Sequence, residues 1–152
     1  MTQFLSAHKE GVKIGSSTKT DNFFSLYSSM PPAEKIGTIR LGMLTVRIVE
    51  AIEHYRIPKS VMLGIVGIPK STFDRKLKAE VRLSQAETER LARLIEVEDF
   101  AEEVFSSKEK SHEWLNKKHT KLGESPISLL DTETGAAQVR KVLGAIAYGG
   151  VV

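Results

Sequence analysis

The sequence predicts an all-α protein in which a helix-turn-helix part is followed by a small helical C-terminal domain. Three observations carry this expectation. From Thr38 onward apolar residues recur every three or four positions. No stretch alternates apolar and polar residues for long enough to make a strand. Prolines, glycines and cap residues stand where helices would begin and end. With 41% hydrophobic and 27% charged residues among 152, the composition is that of a folded chain.

Taken in order, residues 1–37 are rich in Ser, Thr, Gly and Lys and lack a sustained period, and Pro31-Pro32 bars a helix from entering from the left. A mobile N-terminal arm is expected there. The apolar cluster Phe23-Phe24-Ser25-Leu26-Tyr27 is the exception, and either docks on the body or belongs to a free arm. Leu41, Leu44, Ile48, Ile52 and Tyr55 then form one stripe, the first helix of the folded part. Pro58 and Pro69 each fit a first helical position, where the missing N–H costs nothing, and Gly67 lies between them. Two short helices around a tight turn follow.

Ser84 and Glu87 have capping-box spacing and open a long helix. Its buried face is Leu91, Leu94, Ile95, Ala101, Val104 and Phe105, and Asp99 to Lys110 continues it, with Trp114-Leu115 closing over it. After a loop from Asn116 to Glu124, Ser125-Pro126 reads as N-cap and first-turn proline of a short helix through Leu130. The last helix starts near Asp131, read as its N-cap, carries Ala136, Val139, Val142, Leu143 and Ile146 on one stripe, and ends at Tyr148-Gly149-Gly150. The expected organisation is therefore an arm over 1–37, a helix-turn-helix domain over 38–98 and a C-terminal domain over 99–152.

Several function classes fall away. Without cysteine there is no disulfide, thiolate metal site or cysteine nucleophile. No apolar run approaches the ~20 residues that span a bilayer, and Met1 to Thr20 lacks the apolar core of a secretory signal, so a cytoplasmic location is expected. His8, His54, His112 and His119 are scattered, with no i, i+4 pair to hold a metal. No phosphate loop, nucleophile elbow or paired acidic motif appears. The reading is of a protein that is not an enzyme and needs no cofactor.

The charges are unevenly laid out. From Arg56 to Arg82 seven basic residues face two acidic ones, a net +5; from Leu83 to Glu109 three basic residues face eight acidic ones, a net −5. The basic stretch coincides with the helix-turn-helix frame over Lys59 to Lys78, in which Met62, Val66, Gly67, Ile68 and Phe73 fall near core and turn positions. Two departures are Leu63-Gly64 at the small-residue position and a last core position shifted from Lys76 to Leu77. Two readings stand: a DNA-reading helix, or a basic helix that is merely solvated. On the first, Lys70, Ser71, Thr72 and Arg75 meet base edges, while Lys59, Lys76, Lys78, Arg56 and Arg82 neutralise phosphate. One such module reads a half-site weakly, so a homodimer on a palindrome is expected.

From Trp114-Leu115, through Leu122-Gly123-Glu124-Ser125-Pro126, to Leu129-Leu130-Asp131-Thr132, Gly135-Ala136, Val139, Leu143-Gly144, Ile146 and Tyr148-Gly149, the order and spacing resemble the toxin-binding domain of the MbcA/ParS/Xre antitoxins. The helix-turn-helix followed by Arg82-Leu83-Ser84 and an acidic helix resembles their Xre-type half, so the likeness runs from Thr38 to Val152. One departure is Asn116-Lys117-Lys118-His119, where relatives often carry a proline.

The resemblance implies a type II antitoxin paired with a RES-domain toxin that attacks NAD. It further implies occlusion of that toxin by the C-terminal domain and repression of the shared operon through the helix-turn-helix. The positions matching the toxin-facing tail are Arg140, Leu143, Ile146, Ala147, Tyr148, Gly149 and Val151. Read without the resemblance, Leu129, Leu130, Val139, Val142, Leu143 and Ile146 at helical spacing are core or dimer-interface residues, whereas Tyr148, Val151 and Val152 are apolar groups beyond the last helix. The alternative function is a stand-alone transcriptional regulator without a toxin.

Overall fold

The structure, a computed structural model, describes residues 16–149, with side chains from Phe23 onward. Among the described residues every regular element is helical: α1 (Ser16–Ser29), α2 (Pro32–Leu41), α3 (Val46–Tyr55), α4 (Lys59–Val66), α5 (Lys70–Ala79), α6 (Gln85–Phe105), α7 (Lys108–Asn116), a 3-10 helix (Pro126–Asp131) and α8 (Glu133–Ala147). An antiparallel bridge joins Leu44 to Arg82. None of these helices is long and apolar enough to cross a membrane.

Of the two readings left open for the apolar cluster of the arm, the structure has the docked one. The described part of the arm, from Ser16, forms α1 and the first part of α2, both packed on the body. Phe23, Phe24 and Tyr27 share one face of α1, and Phe24 and Tyr27 are buried. Phe24 stacks on His54, ring centroids 4.9 Å apart, and the Arg47 guanidinium lies 3.9 Å from the Phe23 ring. At the far end of α1 the Ser28 hydroxyl donates to Asp99 of α6. Pro31-Pro32 ends α1 but also opens α2, since Pro31 is its extended N-cap and Pro32 its first residue. The sequence hides this because one apolar cluster in a polar stretch gives no repeat, and its partners lie far along the chain.

The predicted stripe from Leu41 to Tyr55 is split. α2 ends at Gly42 and α3 begins only at Val46, so Ile48, Ala51 and Tyr55 turn inward while Leu41 is 64% exposed. The capping box forms as expected: Glu87 N–H donates to Ser84 Oγ at 3.1 Å and Ser84 N–H to Glu87 Oε1 at 2.9 Å. The long helix stops earlier than expected, at Ser106, which adopts a left-handed conformation. Ser107 then caps α7 by accepting from Lys110 N–H. A serine pair that offers the chain a new cap outweighs the helical period running through it. Likewise Thr132, not Asp131, caps α8, accepting from Gly135 N–H at 2.9 Å.

α6 is the axis of the molecule. Leu91, Ala92, Leu94, Ile95, Val97 and Ala101 are buried on it, facing α4 on one side and α7 and α8 on the other. Near its C-terminal end sits Glu98, 3% exposed, with His112 Nε2 3.7 Å from its Oε1. Burial pushes the Glu98 carboxyl well above its ordinary range, reinforced by Asp99 and Glu102. Burial also depresses His112, helped by Arg56 and His54, so both shifts favour the neutral form of each group. Glu98 Oε2, His112 Nδ1 and the Tyr55 hydroxyl have no hydrogen-bond partner there.

The sign of the pH dependence follows. Once the unfolded Glu98 ionises, near pH ~4.3, the folded state holds the extra proton, and stability is lost as pH rises through the raised folded value. His112 acts oppositely, losing stability as pH falls from ~6.5 through its depressed folded value. Glu98→Gln removes only the first effect. Its melting temperature should therefore exceed the wild type's by a margin that grows from pH 5 to pH 8. A constant margin in paired thermal melts would disprove the assignment.

Candidate functional site

α4, the turn at Gly67 and α5 build a helix-turn-helix. Gly67 supplies the left-handed turn residue, φ 77°. Ile68 and Phe73 anchor the turn and α5 in the core, with Leu77 packed against it. Arg90 of α6 pins the turn from behind, its Nη1 donating to the Val66 carbonyl at 3.2 Å. Pro58 and Pro69 stand as extended N-cap residues, one position ahead of the expected place. Leu63 is buried, and Gly64 faces open space.

The outward face of α5 consists of Lys70, Ser71, Asp74, Arg75 and Lys78, all exposed, with Thr72 half-buried beside them. Lys59 reaches across from α4 to within 4.0 Å of Asp74. Four of the expected DNA contacts, Lys70, Ser71, Arg75 and Lys78, thus share one surface, and Lys59 borders it. Lys76 does not join them. Its Nζ donates to Glu87 at 2.9 Å, where both side chains are largely buried. Burial alone would raise the Glu87 carboxyl, but the Ser84 N–H and the Lys76 ammonium outweigh it and hold it below the usual range. Arg82 is engaged too, donating to the Gly42 carbonyl at 2.7 Å.

The second surface is formed by α8 and the residues that follow it. α8 turns Ala136, Val139 and Leu143 into the core, and its start presses against the 3-10 helix at Gly135. Leu143 is wholly buried and has no surface for a partner, which removes it from the expected contacts. Arg140 is partly exposed and pairs with Glu133 at 2.9 Å. Ile146 is half-buried, Ala147 and Gly149 are exposed, and Tyr148 is 90% exposed beyond the last turn. Val151 lies outside the described residues. The loop departure also has a clear path: His119 Nε2 contacts the Trp114 carbonyl at 3.0 Å, and its ring lies 4.8 Å from the indole.

Sequence reasoning missed what ties the two surfaces together. One turn after Arg90, Arg93 donates to the Leu130 carbonyl at 3.0 Å and meets Glu133 at 3.6 Å. The same helix therefore clamps the helix-turn-helix with one arginine and the C-terminal domain with the next. Two arginines three apart on an acidic helix are a weak hint, since solvated arginines share that spacing.

Comparison with known proteins agrees with this geometry. The profile of the antitoxin Xre-like helix-turn-helix domain matches residues 38–96, and that of the antitoxin Xre/MbcA/ParS C-terminal toxin-binding domain matches residues 100–149. The chain is 34% identical over 117 residues to "Antitoxin Xre" of Yersinia enterocolitica, covering 75% of this chain and 78% of that protein. It is 33% identical over 109 residues to "Antitoxin Xre" of Photorhabdus laumondii, covering 70% and 74%. It is also 30% identical over 145 residues to the "Prs ADP-ribosylating antitoxin" of a Sphingobium strain, covering 89% and 91%. With its helix-turn-helix and its toxin-binding domain both in place, the chain belongs to the Xre/MbcA/ParS family of antitoxins, binding proteins rather than enzymes.

Proposed function

We propose that the chain neutralises a RES-domain toxin by occluding its NAD site with the end of α8, and represses its own operon through α5. Residues 38–98 serve DNA and residues 99–152 serve the toxin, in the cytoplasm. The observation that carries this reading is Tyr148: a 90% exposed aromatic group at the end of a toxin-binding domain. Seated in a partner's cleft, such an anchor contributes on the order of 2 kcal/mol or more. Beside it Ile146, Ala147, Gly149 and Arg140 form the rim. Occlusion needs no catalytic group on this chain, because a tightly held tail excludes NAD by mass action. The Sphingobium relative's name supports the choice of toxin, since ADP-ribosylation draws on NAD.

Repression rests on the exposed face of α5, with Lys70, Ser71, Thr72 and Arg75 towards the bases and Lys59 and Lys78 towards phosphate. A homodimer would double the half-site. Leu41, Leu44, Val46 and Val81, exposed around the Leu44–Arg82 bridge just past the end of α5, offer it an apolar face.

Co-expression with the neighbouring open reading frame tests the division of labour. The full chain should co-purify with that product and restore growth and NAD. Tyr148→Ala should weaken capture by tenfold or more while leaving operator binding intact. Arg75→Ala should do the reverse. If NAD and growth never depend on this chain, neutralisation is excluded and a plain DNA-binding regulator takes its place.

A further inference from the structure

The face that α5 turns outward, Lys70, Ser71, Asp74, Arg75 and Lys78, carries a carboxylate at its centre. Asp74 is the one acid on α5. Its Oδ2 receives Lys70 Nζ at 3.0 Å, and its Oδ1 lies 4.0 Å from Lys59 Nζ of α4. All three side chains are about half exposed or more.

Two ordinary explanations fall short. As a helix-stabilising pair Lys70–Asp74 has the less favourable order, base before acid, and exposed pairs contribute little. As part of a phosphate-binding surface the carboxylate is counterproductive: it repels the DNA backbone and holds Lys59, which would otherwise neutralise it, as well as Lys70. An acid here is useful for a different task. In the major groove a carboxylate accepts a hydrogen bond from an exocyclic amine, above all cytosine N4 and also adenine N6, and from no group of thymine or of the guanine edge.

We infer that Asp74 is a specificity-determining residue of the DNA-reading helix. It accepts from a cytosine or adenine amine at one position of each half-site, and it disfavours every duplex that lacks one there. Contact with the correct base offsets the loss of its lysine pairing, freeing Lys59 for phosphate and Lys70 for a base edge. On any other duplex the carboxylate stays locked to the lysines and faces phosphate. Asp74 thus lowers non-cognate affinity as well as choosing a base. This inference rests on the DNA-binding reading above.

The test enriches a pool of randomised 20-base-pair duplexes on the full-length chain and on Asp74→Ala and Asp74→Asn. The wild-type motif should contain a cytosine or adenine that becomes degenerate with Asp74→Ala. With Asp74→Asn it should move to adenine, whose N6 and N7 suit a carboxamide. On a fixed duplex outside the motif, Asp74→Ala should bind about fivefold tighter at low salt, with a salt slope steeper by about one. Coincident thermal melts establish that all three chains fold. Identical motifs from wild type and Asp74→Ala, or equal changes in affinity for motif and non-motif duplexes, would overturn the inference. If the wild type enriches no motif, the DNA-binding reading itself fails.

Discussion

A chain ending at Glu124 is expected to lose DNA binding along with toxin capture, and to lose its cooperative thermal unfolding. Its linear layout suggests two separable halves, but the packing does not. The truncation removes Ile127, Leu130, Val139 and Leu143, all buried. At about 1.5–3 kcal/mol for each such side chain, the loss is comparable to the whole stability of roughly 5–15 kcal/mol. The 3-10 helix also packs on α4, an element of the helix-turn-helix, and Arg93 would lose both the Leu130 carbonyl and Glu133. Circular dichroism melts and operator binding check this directly. A truncated chain that melts sharply near the full-length midpoint and still binds DNA would show that the halves fold alone.

The second large effect is Gly135→Ala. Helix propensity says that alanine inside α8 should stabilise it, by up to about 1 kcal/mol. Tertiary contact says the opposite. A Cβ at position 135 would sit 2.0 Å from the Leu129 carbonyl oxygen and 2.9 Å from its carbon. The obstacle is backbone, which has no rotamer by which to yield, so α8 must lift off the 3-10 helix. Overpacking of this kind costs about 1–3 kcal/mol or more, and the shift carries Tyr148 with it. The expected result is a melting temperature lower by several degrees and weakened toxin capture together. Gly144→Ala is the control, since a Cβ there meets nothing within 4 Å. If Gly135→Ala melts higher than wild type, the close approach of Leu129 is wrong.

Much of the candidate surface was legible before any coordinates. The exposed face Lys70, Ser71, Arg75 and Lys78 follows from α5's period once Phe73 and Leu77 are set inward. The tail at Tyr148 follows from an aromatic residue beyond the last stripe. Lys76 was misread because its period allows it outward, yet Glu87 reaches it. Leu143 was misread because the motif marks it and the core claims it. Neither error is visible within one helical turn.

What the sequence determined by itself is the all-helical character, the place of the turn at Gly67, the capping box at Ser84 and Glu87, and the family resemblance of both domains. Those signals are short-range: a cap, a proline or a helical period acts over three or four residues, and the chain states each one where it operates. The tertiary structure decided which charges remain free and how the two domains are joined. Lys76 finds Glu87 11 residues away, Arg90 finds Val66 at 24, and Arg93 finds Leu130 at 37. Where α1 docks, Ser28 meets Asp99 across 71 residues. Such partners are chosen by the packing of α6 against its neighbours, where burial makes an unpaired polar group costly, and no local pattern specifies which distant group will satisfy it.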